Sequence, residues 1–109
     1  MRAHIYQINL DRDSKHFCFM PYDYVMEQCA GQFPSESYDR VYILACDDAN
    51  PEKIFRILNL DHPSDYTARS LSVSDIVVFE FPDGHTEAYY CNTVGFTKVD
   101  FNPQTVDLL

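Results

Sequence analysis

Residues 70–93 read SLSVSDIVVFEFPDGHTEAYYCNT and decide the fold, because this stretch has the pattern of a β-hairpin. Its first strand, residues 76–81, is nearly continuous apolar sequence that begins with β-branched residues, which is typical of an inner strand. Asp83-Gly84 marks the tip of a tight turn, and the second strand is predicted from about Glu87 to Thr93. Residues 70–75 are predicted to lead into the inner strand, and Gly95 to form a bend after the outer one.

The rest of the chain predicts further strands and two helices. The predicted strands are residues 4–10, 38–46 and 97–101, with a short strand at 17–20, and the predicted helices are 22–30 and 51–59. Asn50-Pro51 starts the second helix as N-cap and first helical residue, and Gly31 fits the position after the first helix. Both faces of residues 38–46 are apolar, which predicts a central strand covered on both sides.

These elements predict an α+β fold. We expect a mostly antiparallel sheet of about four to six strands, with two short helices packed on one side and a C-terminal β-hairpin. The chain has 109 residues, so a single domain over residues 1–109 is predicted, with residues 102–109 as a frayed tail.

The net charge of −9 disfavours several classes of partner. A net-negative surface repels phosphate backbones, so direct binding of nucleic acid or of an anionic membrane is disfavoured. The chain contains no apolar run of transmembrane length and no secretory signal, and its four cysteines lack close spacing. We therefore predict a cytoplasmic protein with reduced cysteines and no membrane partner.

Candidate catalytic and metal-binding residues are sparse. Ser74 and Asp75, with His62 beside Asp61 and Asp65, allow a small hydrolase as a hypothesis, although no G-x-S-x-G motif is present. A turn in which Ser74 or Asp75 bonds backbone N–H groups explains these residues better. No metal-ligand spacing and no glycine-rich phosphate loop occurs, so we predict no catalytic residue, no metal and no cofactor, and lean against an enzyme.

Aromatic residues provide the candidate binding surface. The chain has eight Tyr and eight Phe, and the adjacent pair Tyr89-Tyr90 places one ring on each face of its strand. An exposed aromatic face on an acidic protein suits protein recognition better than base stacking. The candidate binding residues are His62, Tyr66, Tyr89, Tyr90 and Phe96.

A family resemblance is carried by four segments. They are DHPSDY at 61–66, RSLSVSDIVV at 69–78, AYY at 88–90 and GF at 95–96, and together they resemble the YodL-like domain. This is a small bacterial domain of unknown function, found alone or within polyvalent proteins of plasmids, phages and conjugative elements. The resemblance implies an intracellular setting associated with mobile elements, and it implies no catalytic residue.

Three hypotheses of function follow. The first is a non-enzymatic protein-interaction module of bacterial accessory or mobile-element origin, with its oligomeric state open. The alternative is an acidic decoy that mimics DNA, since residues 61–109 carry eight acidic and two basic side chains. The third is the hydrolase built on His62, Asp75 and Ser74.

Overall fold

The residues that the structure describes form one five-stranded antiparallel sheet with a helix on each face. The computed structural model describes residues 1–13, 15–29, 33–61 and 63–101. The strands are β1 (Arg2–Ile8), β2 (Tyr38–Ala45), β3 (Ile76–Glu80), β4 (Thr86–Cys91) and β5 (Phe96–Val99). The helices are α1 (Tyr22–Gln28) and α2 (Pro51–Leu60), and short 3-10 turns span Leu10–Arg12 and Ser35–Ser37.

The strand order is β2-β1-β3-β4-β5, with every neighbouring pair antiparallel. This confirms the predicted α+β class, the antiparallel sheet and the C-terminal hairpin. The inner position of β3 is also confirmed, since β3 lies between β1 and β4 and all its residues except Glu80 are buried. The turn before β4 contains Gly84 with a φ of +93°, a backbone conformation that favours glycine.

The two helices lie on opposite faces of the sheet, so the prediction of one covered side is wrong. Val25 of α1 packs in a core with Tyr6, Ile76 and Val78. Ile54 and Leu58 of α2 pack in a second core, whose sheet residues include Ala3, Ile5, Val77 and Phe79. Successive residues of a strand point to opposite faces, so these two cores occupy the two sides of the sheet. We call them the α1 face and the α2 face.

β2 is an edge strand, which corrects the prediction that it is central. Its register with β1 shifts between Ile5, opposite Tyr42, and Tyr6, opposite Arg40, so Val41 is an extra residue and forms a bulge. The bulge moves Tyr42 and Leu44 to the α2 face, whereas Tyr38 packs on the α1 face. The apolar pattern could not reveal strand order, because pairing between distant segments sets that order.

Residues 17–20 form a turn, so the short strand predicted there is absent. Phe19 has a φ of +71°, and the Met20 N–H donates to the Phe17 carbonyl. The buried Asp13 carboxylate accepts the N–H groups of Phe17 and Cys18 at 2.7 and 2.9 Å. The N–H groups of Phe17 and Cys18, which a strand would donate to a neighbouring strand, are therefore satisfied by the Asp13 side chain.

The second helix begins as the sequence predicts. The Asn50 side chain accepts the N–H groups of Glu52 and Lys53, and Pro51 occupies the first turn. The first helix ends at Gln28, two residues before its predicted end, and the predicted roles of Gly31 and of the tail at 102–109 lie outside the described residues.

Candidate functional site

The serine-rich segment that precedes β3 ends in a turn whose last two residues, Ser74 and Asp75, are buried. The Asp75 N–H donates to the Ser72 carbonyl, and Ser74 has a φ of +84°, where glycine is the usual residue. The Ser74 hydroxyl accepts the N–H of Phe19 at 3.0 Å, and the Ser74 carbonyl accepts the Tyr38 hydroxyl at 2.6 Å. Serine at this position thus joins the turn to two distant parts of the chain.

Asp75 is the centre of a polar network inside the protein. Its side chain is fully buried, and its Oδ2 accepts the Ser72 N–H at 2.8 Å and the Gln7 Nε2 at 3.1 Å. The nearest cation is Arg69, whose guanidinium nitrogen lies 3.7 Å from Oδ1. Burial raises the pKa of Asp75 to about 7, and the Ser72 N–H, Arg69 and Gln7 offset only part of that rise.

Arg69 uses its remaining contacts to hold the surrounding backbone. Its guanidinium donates to the Ile8 carbonyl at 3.1 Å and lies over the Phe19 ring at 5.8 Å. The Arg69 carbonyl accepts Gln7 Nε2 at 2.9 Å and the Tyr66 hydroxyl at 2.6 Å. Because these contacts fix the ends of β1 and the segment before β3, Arg69 and Asp75 have a structural role.

This burial contradicts the hydrolase hypothesis as it was built on the sequence. Ser74 and Asp75 are both 0% exposed, so neither side chain is open to a substrate. His62, the third residue of that hypothesis, lies outside the described residues. In the part of the chain that the structure describes, no group of three or more metal-ligating side chains is arranged to hold an ion.

Four of the five candidate binding residues lie in the described part of the chain, where two are buried and two are partly exposed. Tyr90 is fully buried on the α1 face, where its hydroxyl donates to the Met20 carbonyl at 2.7 Å. Tyr66 is 6% exposed, and its ring packs edge-on against Tyr42 on the α2 face. Neither ring is available to a partner, so the prediction that Tyr66 and Tyr90 belong to the binding surface is wrong. His62 lies outside the described residues.

Tyr89 and Phe96 are partly exposed and lie on the same face. Both pack against the α2 face. Tyr89 is opposite Lys98 and Phe96 is opposite Cys91, so the two aromatic residues are diagonal neighbours on adjacent strands. The Tyr89 ring meets Phe79 edge-on at 5.8 Å, and its hydroxyl donates to Glu87 at 3.0 Å.

Phe55 on α2 completes an aromatic groove with Phe96. The two rings meet edge-on with centroids 6.3 Å apart, and Phe55 remains 37% exposed. Between α2 and the β4–β5 turn lies a depression of about 210 Å³, which we call the Phe55–Phe96 groove. It is lined by Glu52, Phe55, Cys91, Asn92, Thr93, Gly95 and Phe96. Val94, 90% exposed, lies at the adjacent turn.

Sequence reasoning missed two residues that position this groove. Phe55 is not among the residues that the sequence singles out, and only its exposure beside Phe96 marks it as a surface residue. Asn92 accepts the Tyr22 N–H at 2.8 Å, and its amide also contacts the Thr97 hydroxyl. An asparagine at a turn predicts a local hydrogen bond to the backbone. Sequence spacing could not predict that Asn92 accepts the N–H of Tyr22, which is 70 residues away in the chain.

The acidic side chains are spread over the molecule. Asp23 and Glu27 lie on α1 and Glu52 on α2, which are on opposite sides of the sheet. Several others are in ion pairs, namely Glu80 with Arg2, Asp39 with Arg12, Asp48 with Lys53 and Glu87 with Lys98. This distribution weighs against the DNA-mimic alternative, which needs carboxylates along one face.

Comparison with known proteins identifies one family. A family model described as the YodL-like domain matches residues 2–101, which is almost the whole described chain. No curated protein and no solved structure matches, so no activity or partner is transferred from a relative. Among the described residues, no helix is both long enough and apolar enough to span a bilayer.

Proposed function

Because the chain belongs to the YodL-like domain family, we propose a function that requires no active site: a protein-interaction module. We propose further that it is of bacterial accessory or mobile-element origin and works in the cytoplasm. The observation that carries the proposal is the Phe55–Phe96 groove, where aromatic side chains from a helix and an edge strand remain exposed beside one another.

The groove has the composition of a recognition site for an apolar side chain. Large aromatic rings provide contact area at low cost in conformational entropy, and they are frequent among residues that dominate binding energy. The walls are held by the fold, since Phe96 belongs to β5 and Phe55 to a helix whose other side is anchored in the core by Ile54 and Leu58. A preformed groove lowers the ordering cost of association.

The charge around the groove supports a basic partner. Glu52 lines the depression, and the whole chain carries a net charge of −9. A partner with an apolar side chain beside a lysine or arginine would meet the aromatic rings and Glu52 together. Long-range attraction of a basic partner would also raise the association rate at low ionic strength.

A paired affinity-capture experiment tests this proposal. Wild type, the double variant Phe55→Ser/Phe96→Ser, and Leu60→Ser are used to capture proteins from a bacterial lysate, and the captured proteins are quantified by mass spectrometry. Leu60 is the matched control because it lies on the same helix and is 80% exposed. We expect a protein that wild type and Leu60→Ser retain to be lost at least about tenfold from the double variant.

The captured protein is then purified and titrated against the three chains by calorimetry, which separates direct from indirect binding. Thermal melting of each chain shows whether the double variant stays folded. If the folded double variant binds the purified partner as tightly as wild type, the groove is not the contact surface.

A further inference from the structure

The Phe55–Phe96 groove combines aromatic rings with a carboxylate, and this combination narrows the class of ligand that it can hold. Glu52 and Phe55 are three residues apart on α2, so their side chains project from the same side of the helix. Both line the depression of about 210 Å³ together with Phe96 of β5. A ligand in the groove therefore contacts two aromatic rings and lies beside one negative charge.

The two rings offer an attractive surface to a cation. Their planes are inclined at 80°, with the ring centroids 6.3 Å apart. In such an edge-on pair one ring contributes only its edge, so neither of its faces is covered by the other ring. The face of an aromatic ring carries partial negative charge and attracts a cation that lies over it within about 6 Å.

The Glu52 carboxylate supplies the negative charge of the groove. Among the described residues it takes part in no ion pair, because Lys53 and Lys98 are paired with other carboxylates and Arg56, one turn further along α2, forms no ion pair with it. The whole chain carries a net charge of −9. Both the local carboxylate and the overall charge therefore favour a cationic ligand.

The start of α2, beside the groove, does not provide a site for an anion. The N–H groups of Glu52 and Lys53, which an anion would bind, donate to the Asn50 side chain at 3.1 and 3.3 Å. An anion in the groove would also lie beside the Glu52 carboxylate. Carboxylate and phosphate ligands are therefore disfavoured.

Arginine suits this combination of groups better than lysine or an apolar residue. Its guanidinium is planar, so it stacks on an aromatic face while the N–H groups at its edge donate to a carboxylate. The lysine ammonium is a compact and strongly hydrated charge that cannot stack. A leucine side chain would cover the rings but would remove water from Glu52 without replacing its hydrogen bonds.

We propose that the Phe55–Phe96 groove binds an arginine side chain of a partner protein, with the guanidinium stacked on one of the two rings and hydrogen-bonded to Glu52. This inference rests on the proposed function, because it names the side chain that the interaction module recognises. It narrows the basic partner to a protein that exposes an arginine at the contact.

Four peptides of sequence GSAXASG, in which X is arginine, lysine, citrulline or leucine, test the proposal. Citrulline has the shape of arginine without its charge. Each peptide is titrated into the ¹⁵N-labelled full chain, and its dissociation constant is obtained from the backbone amide shifts of Phe55, Thr93 and Gly95. We expect the arginine peptide to bind at least about fivefold more tightly than each of the other three.

Two pairs of matched variants locate the contact. Phe55→Leu/Phe96→Leu keeps the apolar bulk and removes the rings of the groove, whereas Tyr24→Leu removes a ring that is 41% exposed on α1. Glu52→Gln and Glu27→Gln change the net charge equally, but Glu27 lies on α1, across the sheet from the groove. The preference for arginine over citrulline should fall to about twofold or less in the first variant of each pair and stay unchanged in the second.

Several results would overturn the arginine assignment. They are equal binding of the arginine and citrulline peptides, equal binding of the arginine and lysine peptides, and an arginine preference that persists in Phe55→Leu/Phe96→Leu when thermal melting shows that this variant is folded. Tightest binding of the leucine peptide, with amide shifts at Phe55 and Gly95, would also overturn it, yet would support the groove as a recognition site for an apolar side chain. If no peptide binds, the arginine assignment fails, whereas calorimetry with the captured protein decides the proposed function separately.

Discussion

Replacement of Asp75 by asparagine should change how stability depends on pH. Asp75 is fully buried, and burial raises its pKa to about 7 from an ordinary value of 3.8. A folded chain that holds the proton more tightly than the unfolded chain loses stability as pH rises between these two values. The stabilising contribution of the protonated form is complete below pH 3.8 and is lost by about pH 7.

The size of the effect follows from the two pKa values. At about 1.4 kcal/mol per pH unit, the change from 3.8 to about 7 corresponds to about 4 kcal/mol of unfolding free energy. Asparagine keeps an oxygen for the Ser72 N–H and Gln7 Nε2, and it places a neutral amide where Oδ1 has no hydrogen-bond partner among the described residues. Asp75→Asn therefore resembles the protonated wild type at every pH.

Urea unfolding of wild type and Asp75→Asn at pH 4, 5, 6, 7 and 8 measures the difference directly. We expect similar stability at pH 4 and a variant more stable by several kcal/mol at pH 8, with most of the divergence between pH 4 and 7. Other groups, such as Asp39 and Glu80, whose pKa values are lowered, change the unfolding free energy of both chains equally. Their contributions therefore cancel in the difference between wild type and Asp75→Asn. Parallel stability curves over this range would refute the assignment of a buried, proton-linked carboxyl.

Three further substitutions, and one control substitution at an exposed position, test the packing by urea unfolding at pH 7. Asn59→Ala removes two hydrogen bonds to the backbone of Leu71, at 2.7 and 2.8 Å, and should cost about 1–3 kcal/mol; a loss below about 0.5 kcal/mol would show that the bonds are not needed. Tyr38→Phe removes the buried hydroxyl that donates to the Ser74 carbonyl at 2.6 Å and should cost about 1–2 kcal/mol, with no effect contradicting its role in the turn. Leu58→Ala should lower the unfolding free energy by about 2–5 kcal/mol because Leu58 is 1% exposed. The control Leu60→Ala should lower it far less because Leu60 is 80% exposed. Equal losses from the two substitutions would contradict the assignment of Leu58 to the core of the α2 face.

The candidate site could be predicted from the sequence only in part. Phe96 and Tyr89 were proposed as binding residues because aromatic residues in and after a predicted hairpin can form a contact surface, and both are partly exposed. Tyr66 and Tyr90 carry the same signal but are buried, since the same residue type serves the core and the surface. Phe55 was missed because its exposure depends on which side of α2 the sheet covers.

The sequence by itself determined the local structure of this protein. Asn50-Pro51 fixed the start of α2, Asp83-Gly84 fixed the β3–β4 turn, and the apolar run after Asp75 fixed β3, because capping, turn geometry and side-chain alternation act within a few residues. Only the tertiary structure decided that β2 is an edge, that the helices take opposite faces and that Asp75 is buried beside Arg69. These features depend on contacts between segments far apart in the chain, and a bulge of one residue at Val41 reverses which side chains face each core.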